Sequence, residues 1–397
     1  MASIKELFLS NVAQVVDNPS ALVVERAEGV YLYDAENKPY LDLISGISVS
    51  NIGHCHPKVV HAVQDQVAKY MHLQVYGEFA VSPQAKLATK LLSKLNPCMG
   101  SVYFTNSGAE AIEGALKVAK RFTGRTELIS FKDAYHGSTH GALSIQGSEE
   151  FKQGYYPLLP DTKILNYNKL DELKAITKRT AAVVVEAIQA EAGYIVPDPG
   201  YLLALRARTR EVGALLILDE IQTGMGRTGN WFAHLDEGFC PDIMTLAKGF
   251  GGGMPLGAFV APKHIMDVIK ENPILGHITT FGGHPVSCAA SLAAFEVLEE
   301  NPEWMKEIPE KSAIIEAIMQ HELITKVSGK GLMYCITMND QFPVGNLIST
   351  LEDRGIITDY FLFAGNAFRI TPPLSITTDE LRTGLNTIIQ TINDIRA

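Results

Sequence analysis

Short apolar runs that each stop at a polar or charged residue recur through the middle of this chain, and no other feature restricts its fold as strongly. The clearest are residues 102–105, 127–131, 182–186, 215–219, 243–247 and 258–261. A strand that is apolar at nearly every position needs cover on both faces, which is the situation in a parallel sheet flanked by helices. Helical periodicity at 109–122 and 202–211 falls between such runs, so the alternation predicts an α/β fold with a largely parallel sheet. The chain ends are patterned differently. VYLYDAENKPYLDL alternates apolar and polar residues around Glu36-Asn37-Lys38-Pro39, a hairpin signal. A helical run at 285–300, strand-like pieces at 331–338 and 367–371, and a closing helix at 378–395 with Thr378 as its N-cap complete the pattern. The expected organisation is a large domain over 51–283 and a smaller α+β domain built from 1–50 and 284–397.

Length supports two domains, since 397 residues exceed the size at which a single core keeps growing. With 46% hydrophobic and 20% charged residues, the composition is that of an ordinary globular enzyme. A net charge of -10 argues against nucleic acid or an anionic membrane as the main partner. The five cysteines stand far apart with no C-x-x-C pair, so neither a zinc site nor a disulfide framework is expected. The first residues carry Glu6 and Asp17 and lack a basic start followed by an apolar run, unlike a signal peptide. No apolar stretch is long enough to span a bilayer, and a cytoplasmic location is expected.

Three strand ends carry chemistry. Asp219 closes Leu-Ile-Leu-Asp, and ligands of such sheets gather at the carboxyl ends of strands; a lone aspartate there more often caps a helix or pairs with a loop cation. Lys248 ends another apolar run and precedes Gly249, Gly251, Gly252 and Gly253. A lysine next to core loses pKa by desolvation and becomes a nucleophilic amine suited to Schiff bases, whereas the bland alternative is a side chain reaching solvent over a mobile loop. Asn106-Ser107-Gly108 precedes a helix starting near Ala109, with Glu110 and Glu113 in its first turns. Free amides at such a terminus bind phosphate, although plain capping by Ser107 explains the segment equally well.

A phosphate cup, an acid and a lysine at strand ends are together what pyridoxal phosphate requires, and here the sequence resembles the class III aminotransferases of the fold-type I pyridoxal-phosphate enzymes. The resemblance runs from GVYLYDAENKPYLDLISGISVSNIGHCHP to FRITPPLSIT and rests on NSGAEA, DAYHG, VVVEAIQAEAG, LILDEIQTGMGRTG, TLAKGFGGGMPLGAF and TTFGGHP. It implies an enzyme that moves an amino group from an ω-amino acid or amine donor to a keto acid such as 2-oxoglutarate. It implies that Lys248 carries the cofactor and then serves as acid and base, and that Asp219 pairs with the pyridine nitrogen. Gln222 would bond the ring hydroxyl, Ile221 and Tyr135 would pack on opposite ring faces, and Gly108 and Ala109 with Ser107 would bind phosphate. His136 and Glu186 would complete the ring's surroundings, and Thr280 would reach the phosphate of the neighbouring subunit in a homodimer. Glu191 and Arg369 match a gate in which the glutamate covers the arginine until the carboxylate of glutamate binds. Ser138 stands where acetylornithine, ornithine and 4-aminobutyrate enzymes carry an arginine, and Ile47 where ornithine enzymes carry a tyrosine. Tyr76 falls in a segment that contributes to the substrate pocket.

Rival patterns are weaker. Gly224 to Gly229 fits G-x-G-x-x-G with Asp242 downstream, which would suggest a dinucleotide site, but four residues separate the strand from the first glycine. His54-Cys55-His56 lacks further metal ligands, and HGSTH, with His136 and His140, lacks the glutamate of a zinc protease motif. An aminomutase or decarboxylase would keep the same cofactor residues; the Glu191–Arg369 pair favours two-substrate exchange.

Overall fold

The computed structural model describes residues 2–396. Its centre is a seven-stranded sheet in the order Ser101–Thr105, Gly257–Ala261, Ile243–Leu246, Leu215–Asp219, Thr180–Glu186, Glu127–Phe131 and Thr162–Leu165. The Gly257–Ala261 strand runs antiparallel to both of its neighbours, and the remaining pairings are parallel. Every residue of Thr180–Glu186 is buried, as its unbroken apolar run requires. Its side chains divide by the two-residue period of a strand: Ala182 and Val184 pack with Ile112, Ala115 and Val118, while Val183 and Val185 pack with Tyr201, Leu202 and Leu205. The helices Gly108–Thr123 and Tyr201–Val212 therefore cover opposite faces.

Both helices end where the sequence supplies a stop. Gly124 and Gly213 adopt φ of 67° and 69° at the two C-caps, a left-handed geometry that costs glycine nothing. Gly114 lies so close to the sheet that an added Cβ would come within 2.2 Å of the Phe259 ring.

Two further sheets form from the chain ends. Arg26–Glu28, Tyr31–Tyr33 and Pro39–Asp42 make the expected hairpin region, joined in parallel by Ile356–Ile357 from the other end of the chain. Ile324–Gly329, Tyr334–Met338, Ala367–Ile370 and Asp359–Tyr360 form the other, in that order. The helices Pro285–Glu300 and Thr378–Arg396 are present, but the latter is capped by Thr377, not Thr378: the Thr377 hydroxyl accepts from the Glu380 amide at 3.2 Å and the Glu380 carboxylate accepts from the Thr377 amide at 2.9 Å. Among the described residues no helix is long and apolar enough to cross a membrane.

Arg227 locks these parts together. It is fully buried and donates to the Leu332 and Pro372 carbonyls, to Ser45 Oγ and to Asn51 Oδ1. Burial pushes its pKa down to about 10, against the pull of Tyr194 and Asp42. One further expectation needs correction. Cys98 and Cys240 form a disulfide across 142 residues, where spacing alone suggested none, because the fold brings the 96–99 turn against 239–241. The glycines at 224–229 do not open a helix: a turn follows the strand, and the next helical element is the short Ala233–Leu235, so the dinucleotide geometry is absent.

Candidate active site

Parallel strands that end in register deliver their last side chains side by side. Glu186 and Asp219 are paired residues of adjacent strands, and Lys248 follows the next strand, Ile243–Leu246. All three line a cavity of about 490 Å³ at the carboxyl ends of the sheet, together with Ser107, Gly108, Ala109, Tyr135, His136, Ser138, Glu191, Ile221 and Gln222.

Asp219 is 5% exposed. Its Oδ1 accepts from the Ile221 amide at 2.9 Å and its Oδ2 lies 2.8 Å from His136 Nδ1. Burial opposes the charged form of His136, but the Asp219 hydrogen bond and charge outweigh it, and its pKa is raised. Glu186 Oε1 accepts from the Ala190 amide at 3.0 Å and Oε2 from the Tyr135 amide at 3.3 Å. Burial drives its pKa up to about 7; the charge of Asp219 adds to the rise and His136 works against it.

Lys248 sits at φ 51°, the left-handed region that costs a residue with a side chain free energy and marks a position fixed by its surroundings. Burial lowers its pKa, although Glu191 works the other way. Among the described residues it has no carboxylate within ion-pair distance, so a nucleophilic amine faces the cavity. The following Gly249 is required: a Cβ there would come within 2.6 Å of Asn51 Nδ2.

Gln222 is 6% exposed, yet neither its Oε1 nor its Nε2 has a hydrogen-bond partner. A buried amide with both ends unsatisfied loses about 1–3 kcal/mol per group, which a ligand offering a donor and an acceptor recovers. On the opposite wall, Ser107 Oγ caps the Gly108–Thr123 helix by accepting from the Glu110 amide at 3.2 Å. The amides of Gly108 and Ala109, in the first turn, have no intrahelical acceptor. Ile221 closes over this turn, with its Cδ1 2.8 Å from where a Cβ on Gly108 would stand.

Arg369, on Ala367–Ile370, lies behind the wall and not in it. Its Nη1 and Nη2 reach Glu191 Oε1 and Oε2 at 3.1 and 2.8 Å, and its Nε donates to the Tyr360 carbonyl at 2.7 Å. Burial alone would raise the Glu191 pKa; the Arg369 hydrogen bonds and charge more than reverse this and lower it. Ser138 is exposed, with its Oγ 3.2 Å from the Tyr135 hydroxyl.

Three expected site residues stand apart from this cavity. Tyr76 lines a second cavity of about 660 Å³, and exposed Thr280 follows Thr279 of the same wall. Ile47 is half-buried in a turn in which Ser45, Gly46, Ile47 and Ser48 all have positive φ; Val49, just after it, lines the first cavity. A β-branched residue in that conformation is a genuine outlier. The turn is held by Asp42 Oδ1, which accepts from the Ile44 and Ser45 amides at 2.8 Å each, and by Arg227. Sequence reasoning missed Val49, Asn106, Met254, Pro255 and Leu256 as lining residues; the apolar ones carry no signal that separates a cavity wall from core. His140, which shares a motif with His136, is exposed.

A lysine amine, a buried carboxylate and first-turn helix amides around one cavity are the parts of a cofactor-dependent group-transfer enzyme. The chain belongs to the family described as Aminotransferase class-III, whose profile matches residues 12–392. It is 40% identical to the acetylornithine aminotransferase of Streptomyces coelicolor over 92% of this chain and 90% of that protein. Among solved structures it is similar to the ornithine aminotransferase of Toxoplasma gondii, with a TM-score of 0.91, 28% identity and coverage of 100% and 96% of the two chains. It also resembles the taurine:2-oxoglutarate aminotransferase of Bifidobacterium kashiwanohense, solved in complex with PLP and glutamate, with a TM-score of 0.90, 26% identity and coverage of 98% and 96%. The protein is a pyridoxal-phosphate-dependent transaminase of the fold-type I architecture.

Proposed function

We propose that this transaminase takes an amino group from a donor with a terminal amine and passes it to a keto acid of the 2-oxoglutarate type, using the cavity around Lys248. The observation that carries the reading is the placement of the unpaired Lys248 amine in one cavity with the Asp219 carboxylate and the unsatisfied Gln222 amide. These groups fit pyridoxal 5′-phosphate: Gln222 supplies partners for a ring hydroxyl, and the amides of Gly108 and Ala109 with Ser107 supply them for a phosphate. When bound, the cofactor provides an electron sink for the donor's reacting carbon.

The chain's own residues do the rest. Lys248 Nζ would hold the cofactor and take and return the proton at the donor's reacting carbon; its lowered pKa leaves the amine more readily unprotonated at neutral pH. Asp219, oriented by His136 and the Ile221 amide, would keep a proton on the ring nitrogen. Ile221 and Tyr135, which both line the cavity, would hold the ring, and Glu186 fixes the Tyr135 backbone. Glu191 shields Arg369 while a terminal amine is bound and yields it to an incoming carboxylate.

A second copy of the chain completes the site in this reading, with the partner subunit's Thr280 reaching the phosphate. Exposed Ile274, Leu275, Ile278 and Phe281 around that threonine, and Met71, Leu73 and Phe79 near Tyr76, give apolar surface for such an association. The division into a large domain over 51–283 and a smaller one from 1–50 and 284–397 belongs to the same proposal.

The test is covalent. Borohydride treatment of the holoenzyme followed by peptide mapping should place a pyridoxyl group on Lys248, and Lys248→Ala should lose the visible absorbance and turnover while folding normally. Wild-type turnover in that variant would sink the reading.

A further inference from the structure

The segment that carries Tyr135 and the helix turn that offers Gly108 and Ala109 belong to different elements, and the cradle works only if their spacing is fixed. Besides the packing of Ala142 with Ile112, Ala115 and Leu116, two contacts bear on it. Near the cavity, Gly137 presses on the first turn of the helix: a Cβ there would lie 2.6 Å from Ala109 Cβ, and its φ of +126° is one that strains any residue with a side chain. Farther out, Glu113 from the second turn of the same helix reaches across. Its Oε1 accepts from the Thr139 hydroxyl at 2.6 Å, the Gly141 amide at 2.8 Å and the Ala142 amide at 3.2 Å. The last two are otherwise free amides at the start of the short helix His140–Ser144. Gly141 is matched to this latch, since a Cβ there would fall 2.1 Å from Glu113 Oε2.

We infer that Glu113 is a positioning residue that sets the spacing between the phosphate-binding turn and Tyr135, and so the geometry of the cofactor cradle. This rests on the proposed roles of Gly108, Ala109 and Tyr135. Glu113 does not line the cavity; it acts through the segment it holds. A carboxylate is suited to the task because one oxygen accepts three donors, and a bond to a charged acceptor is stronger than a neutral one.

The test opens the latch from each side in the dimeric enzyme. Glu113→Ala removes the acceptor, and Gly141→Ala drives the carboxylate away. Each should weaken pyridoxal phosphate binding, measured by equilibrium dialysis against the apoenzyme, about tenfold, and change the circular dichroism of the bound cofactor. kcat should fall while the donor KM stays near its original value. Glu113→Gln keeps an acceptor oxygen and should recover most of the affinity. In the double variant the alanine methyl occupies space the glutamate has left, so the two losses should not add. Unchanged cofactor affinity and dichroism in both single variants, with Tyr135→Ala weakening the cofactor, would overturn the latch alone. No effect from Tyr135→Ala either would overturn the reading of the cradle as well. Should Glu113→Ala fail to fold, Gly141→Ala and Glu113→Gln still decide the matter.

Discussion

Arg369→Ala should separate the two halves of the proposed reaction. In the resting structure the guanidinium is almost fully buried, makes two hydrogen bonds to Glu191 and donates to the Tyr360 carbonyl. Removing it does two things. It strands Glu191, and breaking a buried pair costs about 3–5 kcal/mol; because Glu191 borders the cavity, water can solvate the freed carboxylate and the loss should fall at the lower end. Glu191 then loses the influence that holds its pKa down, and burial raises it. In the proposed gate it also removes the seat that a carboxylate of glutamate would take once Glu191 moves aside. A buried charge-assisted pair of this kind contributes about 3–4 kcal/mol to binding, or two to three decades in rate for the glutamate half-reaction. An amine without a carboxylate never uses the seat, so its half-reaction should change less than about fivefold. Rapid mixing of the holoenzyme with glutamate, and separately with such an amine, followed by absorbance, gives both numbers. Thermal melts establish that the variant is folded at the assay temperature. Equal losses in the two half-reactions would show that Arg369 supports the fold and that no gate exists.

The other predictions address the cofactor surroundings. Asp219→Asn should bind cofactor but lower kcat by about a hundredfold or more with a smaller change in donor affinity; steady-state kinetics showing equal kcat would count against its role. Mixing inactive Lys248→Ala with inactive Thr280→Ala should restore part of the activity, because one site in the mixed dimer has both residues intact, whereas a fully active monomer in sedimentation would end the shared-site reading. Glu186 has a folded pKa raised from 4.5 to about 7 by burial. A raised folded pKa means that its favourable contribution is complete below the unfolded pKa and disappears as pH rises through about 7. Apoenzyme stability relative to Glu186→Gln should therefore fall by about 3 kcal/mol between pH 4 and 8 in denaturant titrations; a pH-independent difference would refute the shift.

What the sequence discloses depends on whether a position answers to its neighbours in the chain or to distant ones. The strands Glu127–Phe131 and Leu215–Asp219 and the helix Pro285–Glu300 have the expected bounds because each is an apolar run with a clear stop. Thr162–Leu165, at a sheet edge, alternates in burial and offers no continuous run, and it escapes notice. Asp219, Lys248 and Ser107 are legible because strand ends and helix starts fix where they point. The His136–Asp219 bond and the Glu113 latch depend on the path of a loop, which no local pattern encodes. The left-handed turn at 45–48 is the extreme case: Ile47 has every reason to avoid it, and contacts from Asp42 and Arg227 impose it. Cys98 and Cys240 likewise meet only because the fold is complete.

Arg227 also bears on how the protein is made. It leaves the ribosome well before Pro372, one of its acceptors, which lies 145 residues later. At about 5–20 residues per second, roughly 7 to 30 s of translation separate the two. For that time the guanidinium has no complete seat, and a charge cannot enter a core without one, so it stays hydrated. The turn at 45–48 and the Asn51 side chain, which share the guanidinium, wait with it. The central sheet can assemble on the emerging chain, but the lysine loop against Asn51 takes its working shape only after the late strands arrive. A nascent chain stalled after residue 261 has emerged but before residue 332 is made should therefore be protected from protease in the sheet and cleaved around residue 45.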